Sequence, residues 1–236
     1  MYESRMEGSY NIEKEGRIKP IQVEYVDHMG GDKNVVNAAR VSFDKFVEVV
    51  TAADVRLLDY LAEHDHWSPF AHSAISVRCR VPLFLARQLV KHQVGGAWNE
   101  ESRRYISTAP CYYIPEQFHY APTENKKQGR GDVMPKTAYN KWVERLLLNT
   151  SECDYCYAAA IEEGMAPEEA RMFLPLNTHT NWVWSGSLVA FMRIIEQRSD
   201  AHAQGAAQEF AKLLRAAISG TYPMAIAAYN EVHNGN

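Results

Sequence analysis

No apolar run in the 236-residue sequence approaches the roughly 20 residues needed to cross a bilayer. The opening MYESRMEGSYNIEKEGRIKP also lacks the apolar core of a signal peptide, so a cytoplasmic protein is expected. Basic charge is not in excess: 25 Lys and Arg stand against 29 Asp and Glu, a formal net charge of -4. The chain as a whole therefore has no attraction for nucleic acid or acidic membranes, and an anionic ligand must be held by a local cluster of cations. Cysteine is scarce, and of Cys79, Cys111, Cys153 and Cys156 only the last two have CxxC spacing. Without a second ligand pair, and inside SECDYCYAAA, which reads as mid-helix, they do not suggest a metal or redox site. GxGxxG and GxxxxGK[ST] are both missing, so neither a dinucleotide-binding Rossmann unit nor a P-loop is supported. There is no internal repeat.

What is present is an ordinary globular composition, 46% hydrophobic and 23% charged, in a chain long enough for one well-filled core. Residues 1–20 are polar without periodicity and read as an arm; residues 21–236 read as one mixed domain. Alternation predicts strands over 21–26, 73–81 and 178–184. Helical spacing predicts helices over 34–43, 52–64, 82–93, 136–163, 187–197 and 203–219, with Pro167 opening a further one that carries Arg171. The stretch YAPTENKKQGRGDVMP, 120–135, reads as a mobile surface loop. Helices and strands interleave without a steady βαβ rhythm, which predicts the α+β class.

The densest chemistry lies between Arg87 and Tyr105. On a helix ending ARQLVKHQ, the residues Arg87, Gln88, Lys91 and His92 share one side. WNEESRRYIS then packs Asn99, Glu100, Ser102, Arg103, Arg104 and Tyr105 into seven residues, and an arginine fork grips phosphate bidentately. Two readings stand at this point: a nucleotide site, or a solvated helix end followed by a charged edge strand.

KHQVGGAWNEESRRY resembles the signature of the flavin-dependent thymidylate synthases, in which Arg-His-Arg is followed after seven or eight residues by Ser within NExSxRY. Here the triplet is Lys91, His92 and Gln93, eight residues precede Ser102, and only the central His matches. AARVSF at 38–43, HDHWSPFAH at 64–72, PLFLARQ at 82–88, ARMFLPLNTHTNWVWSGSL at 170–188 and RSDAHAQ at 198–204 resemble family segments in the family's order.

The resemblance implies an α+β homotetramer with active sites shared between subunits. It also implies FAD, with methylenetetrahydrofolate and NADPH as co-substrates, and dUMP as the substrate converted to dTMP. Carried over by position, the dUMP site comprises Gln88, Lys91, Glu100, Ser102, Arg103, Arg104, Arg171 and Arg198. Arg103 stands where glycine is common, so its contact is expected through the backbone. Arg198 resembles the arginine that stabilises negative charge on the uracil ring, and Ser102 is read as a hydrogen-bonding group ahead of a nucleophile. The FAD site comprises Ser68, Lys91, His92, Gln93, Glu100, Ser187, Leu188, Val189, Arg193 and His202, with His66 a weaker candidate. His66 and His72 have the alternative of satisfying buried backbone groups. Lys91 loses the planar guanidinium fork and Gln93 loses a charge, so weaker flavin binding is expected. The altered triplet leaves open a fold relative that hydroxymethylates C5 or takes cytosine; a module that binds nucleotide or RNA without turnover is a third reading, against which the acidic total and the lack of aromatic and basic interleaving count.

Overall fold

The computed structural model describes residues 11–122, 129–200 and 203–233. In chain order it contains α1 (Asn11–Lys14), β1 (Gln22–Met29), α2 (Asp32–Arg40), α3 (Ala52–Glu63), α4 (Ser68–Ala71), β2 (Ala74–Pro82) and α5 (Leu83–Leu89). There follow β3 (Gly96–Glu100), α6 (Lys136–Glu162), α7 (Pro167–Ala170), β4 (His179–Gly186), α8 (Leu188–Ser199), α9 (Gly205–Ile218) and α10 (Pro223–His233). Short 3-10 turns occupy Val41–Phe43 and Arg171–Phe173. The strands form one sheet in the order β1-β2-β4-β3, and with the surrounding helices this is the expected α+β class.

The chain divides into two compact units. Of the described residues, the first holds those up to Gln22, Arg80–Leu89 and those between Glu100 and Trp182; the second holds Val23–Cys79, Val90–Asn99 and those from Val183 onward.

In the first unit the long helix α6 lies beside α7. Ile12, Tyr112 and Leu147 form a buried cluster, joined by Ile18, Ile114 and Val143. The second half of the segment read as an arm is thus packed. Ile18 pairs with Tyr112, which pairs in turn with Thr178. Buried His179 donates from Nε2 to the Lys19 carbonyl at 2.9 Å, and burial pulls its pKa down to about 4, so the ring stays neutral and fastens that segment. The ends of the expected 120–135 loop are paired: Tyr120 N–H donates to Asp132, and Met134 N–H to Phe118. Residues 123–128 of that loop lie outside the described residues.

In the second unit the apolar stripe of α8 (Leu188, Phe191, Met192, Ile195) packs with that of α9 (Ala207, Phe210, Ala211, Leu214). Trp184 on β4 meets Phe191 edge-on at 5.7 Å. Helix α10 lies beyond the last helix expected from spacing, although PMAIAAYNEVH begins with the proline favoured at a first helical turn and buries Ala225, Ile226, Ala228 and Tyr229 at helical spacing. This helix packs on α3. Its first turn is capped by Asp32, whose carboxylate accepts from Met224 N–H at 3.1 Å and Ala225 N–H at 2.8 Å. The Tyr222 hydroxyl donates to the Met29 carbonyl.

Candidate active site

The helix expected over 82–93 stops at Leu89. Its buried face is Leu85, Ala86 and Leu89, and the chain beyond must turn toward Gly95, whose φ of +76° suits glycine. Lys91, His92 and Gln93 therefore lie on a connection rather than sharing a helix side with Arg87 and Gln88. Gly96 begins β3, an edge strand.

In the second unit, the 90–95 connection rests on the first turn of α8. Ser187 N–H donates to the Gly95 carbonyl at 3.2 Å. A Cβ on Gly96 would stand 2.9 Å from Trp184 Nε1, so the close approach depends on its absence. His92 is half-buried there, and Arg198 Nε donates to its Nε2 at 2.9 Å. That bond requires an unprotonated Nε2, hence a neutral imidazole with its proton on Nδ1. Burial, and then the charge of Arg198, depresses the pKa of His92; burial also lowers that of Arg198.

The other residues expected around a flavin divide into exposed donors and scaffold. Lys91, Gln93 and Ser68 are exposed. Arg193 reaches Asp65 at 3.7 Å, a loose surface pair. Ser187 caps α8 by accepting from Ala190 N–H at 3.3 Å. The side chains of Leu188 and Val189 are core, and Leu188 N–H donates to Ser73 Oγ at 3.0 Å. His66 and His72 are exposed, so neither satisfies the interior; His66 meets Tyr60 edge-on at 5.8 Å. His202 lies outside the described residues.

The first unit carries Glu100 to Tyr105 of the NEESRRY motif. Glu100 accepts from Thr180 Oγ1 at 2.6 Å. Glu101 accepts from Asn181 Nδ2 at 2.6 Å, while Asn181 Oδ1 accepts from Arg80 Nε at 2.8 Å. Ser102 Oγ accepts from both N and Nε of Arg104 at 3.3 Å, with no histidine or carboxylate bonded to it among the described residues. The Arg104 guanidinium lies 4.9 Å from the Tyr105 ring centre, and both side chains are exposed. Arg103 turns its side chain back to the loop, donating from Nη1 to the Thr108 carbonyl at 2.6 Å. Gln88 is half-buried on α5, and exposed Arg171 stands in the 3-10 turn, donating from Nε to the Glu168 carbonyl at 3.2 Å. Sequence reading missed the supports Thr180, Asn181 and Arg80. The alternation of β4 hints at Thr180 and Asn181, but bonding partners 80 and 101 residues away are not legible in a spacing.

Residues 24–224 match the family profile described as "Thymidylate synthase complementing protein". The flavin-dependent thymidylate synthase of Anaplasma marginale is 37% identical over 212 residues, 89% of this chain and 72% of that protein. The chain belongs to the flavin-dependent thymidylate synthase family. The enzyme of that name from Thermus thermophilus is 33% identical over 210 residues, covering 89% of this chain and 75% of its own. In fold, the chain resembles the crystal structure of the UMP/dUMP methylase PolB from Streptomyces cacaoi bound with 5-Br UMP. That match has a TM-score of 0.80 at 24% identity and covers 92% of this chain and 98% of the other. Like its relatives, the protein is a flavin-dependent enzyme of the methyltransferase class. Among the described residues no helix is long and apolar enough to cross a membrane, and no group of three or more His, Cys, Asp or Glu could hold a metal ion.

Proposed function

We propose that this chain is a cytoplasmic synthase converting dUMP to dTMP, with methylenetetrahydrofolate as carbon donor and FAD reduced by NADPH. The observation that carries the reading, beyond family membership, is the contact between Arg198 and a neutral His92. With Nε fixed by the imidazole, the guanidinium is a preoriented cation. Negative charge that develops on a uracil ring as N3 is deprotonated is stabilised by such a group without reorganisation, and one such donor contributes roughly 3 kcal/mol. A neutral imidazole keeps a second cation from repelling it.

The flavin, when bound, supplies the hydride. The residues of the second unit fit such a cofactor: Lys91 and Arg193 offer cations and Ser68 and Gln93 neutral donors for a diphosphate, and half-exposed Trp67 and exposed Val94 offer apolar surface. In the first unit, Arg104 and Arg171 are exposed forks suited to a phosphate dianion, and Ser102 and Gln88 complete the polar set. A homotetramer with shared sites is supported by exposed apolar residues concentrated between α2 and α3: Val41, Phe43, Phe46 and Val49.

The test is the visible spectrum of the purified protein, followed by incubation with dUMP, methylenetetrahydrofolate and NADPH and mass detection of product. A flavin band near about 450 nm and a methylated product are expected; no band even after adding FAD overturns the reading. Running dCMP alongside, and reading the mass gain as methyl or hydroxymethyl, separates the base and product alternatives that Lys91 and Gln93 raise.

A further inference from the structure

The loop from Glu101 to Pro110 carries Ser102, Arg103 and Arg104. A cleft of about 450 Å3 opens beside it, lined by residues 103–110 and, opposite, by Arg17, Asp154, Tyr157 and Ile161. A loop bordering a void is held by its polar anchors. At its start Glu101 is tied to Asn181 through both side chain and backbone, at 2.6 and 2.8 Å. Within it Arg103 spans to the Thr108 carbonyl. At its far end one side chain reaches across: Arg17 Nη1 donates to the Pro110 carbonyl at 3.2 Å.

Arg17 is itself tightly placed. Its guanidinium grips Asp154 on α6 with two bonds, Nη1 to Oδ1 at 2.7 Å and Nη2 to Oδ2 at 2.6 Å. The fully buried Tyr112 donates its hydroxyl to the same Asp154 Oδ1 at 2.7 Å. The backbone of Arg17 is fixed too, its carbonyl accepting from Tyr112 N–H at 2.8 Å. A bidentate, largely buried arginine with a third polar partner is a rigid strut rather than a surface ion pair. Sequence alone places Arg17 in a polar arm with no role.

We propose that Arg17 is the positioning residue of this loop: gripped by Asp154, it holds Pro110 and thereby sets where Ser102 and Arg104 meet a nucleotide phosphate. It does not touch substrate; it acts through the loop. The inference rests on the dUMP reading of that loop given above.

The experiment measures dUMP affinity, from the change it causes in the flavin bands, together with KM and kcat for dUMP. It is run on the full-length flavin-loaded protein and on Arg17→Met, Arg17→Lys and Tyr112→Phe. Losing the strut lets the phosphate donors wander and weakens binding to free enzyme, while saturating nucleotide draws the loop back into place. Arg17→Met is expected to raise the dissociation constant and KM about tenfold with kcat within about twofold and flavin content unchanged. Arg17→Lys, which keeps one charged contact to Asp154, restores part of the affinity, and Tyr112→Phe raises the constant about two- to threefold. Unchanged affinity in Arg17→Met overturns the inference. So does a fall in kcat and flavin content at unchanged KM, the mark of a merely structural arginine. If Arg17→Met yields no folded protein, unchanged affinity in Arg17→Lys and Tyr112→Phe overturns it equally. Wild-type protein that fails to bind dUMP sinks the proposed function and this inference with it; intact binding in wild type and every variant sinks the inference alone.

Discussion

Replacing Arg198 by alanine removes one charge-assisted bond to His92, 2.9 Å long, and the one fixed cation assigned to the reacting ring. Loss of a preoriented donor aimed at developing charge costs about 3 to 4 kcal/mol in the transition state, or roughly 10²- to 10³-fold in kcat. Arg198→Lys keeps the charge without the planar fork and falls between. The assay is release of the C5 hydrogen of dUMP, normalised to bound flavin, across pH. In the wild type, burial and Arg198 hold the His92 pKa below its ordinary value. Activity should therefore persist below about pH 6.5, until His92 is protonated and can no longer accept from Arg198. In Arg198→Ala the repelling charge is gone, the His92 pKa rises toward the ordinary value, and the acid limb of the profile moves upward. Stability follows the same sign. The folded protein binds fewer protons at His92 than the unfolded chain in the window below about pH 6.5, so acidification through that window favours unfolding, and less steeply in the variant. A rate loss under about threefold at unchanged flavin content, with an unmoved acid limb, refutes the role given to this pair.

Gln93→Arg should strengthen flavin retention by restoring a cation to the exposed connection, read as flavin remaining after dialysis; equal retention in both proteins contradicts it. Gly96→Ala brings a methyl group to within 2.9 Å of Trp184 Nε1 and should cost about 1 to 3 kcal/mol in urea unfolding, with the Trp184 fluorescence altered. Asp54→Ala removes a buried carboxylate that accepts from Thr51 N–H at 2.8 Å and pairs with Arg40, and should destabilise by about 3 kcal/mol or more. Hydrogen bonds from Thr51, then Arg40, lower the Asp54 pKa, so this contribution is complete above the unfolded value of about 3.8 and is lost as pH falls below it; the variant's stability should depend less on acid.

What the sequence made legible is what local periodicity controls. The alternation of SAISVRCRV and the stripe of α8 produced elements within two residues of their observed ends, because each buries one face. The end of α5 was not legible. VKHQ continues a helical pattern, yet His92 is drawn off it by a bond to Arg198, 106 positions away. β3 was missed for another reason: a five-residue, mostly exposed edge strand opening on glycine has no buried face to leave an alternation. The candidate residues themselves stood out through ordered motifs. Their supports, Arg17 and Asp154 above all, did not, since an arginine in a polar segment and an aspartate in mid-helix acquire meaning only when the fold brings them together.

The cap that Asp32 places on α10 joins residues nearly 200 positions apart. During synthesis, α2 and α3 leave the ribosome long before the helix that covers them, and Leu58, Leu61 and the first turn of α10 must wait for one another. The second unit therefore closes only after Pro223–His233 have been made. Loop-closure entropy makes that closure slow, and until then its apolar faces depend on chaperones or on speed to stay apart from those of neighbouring chains.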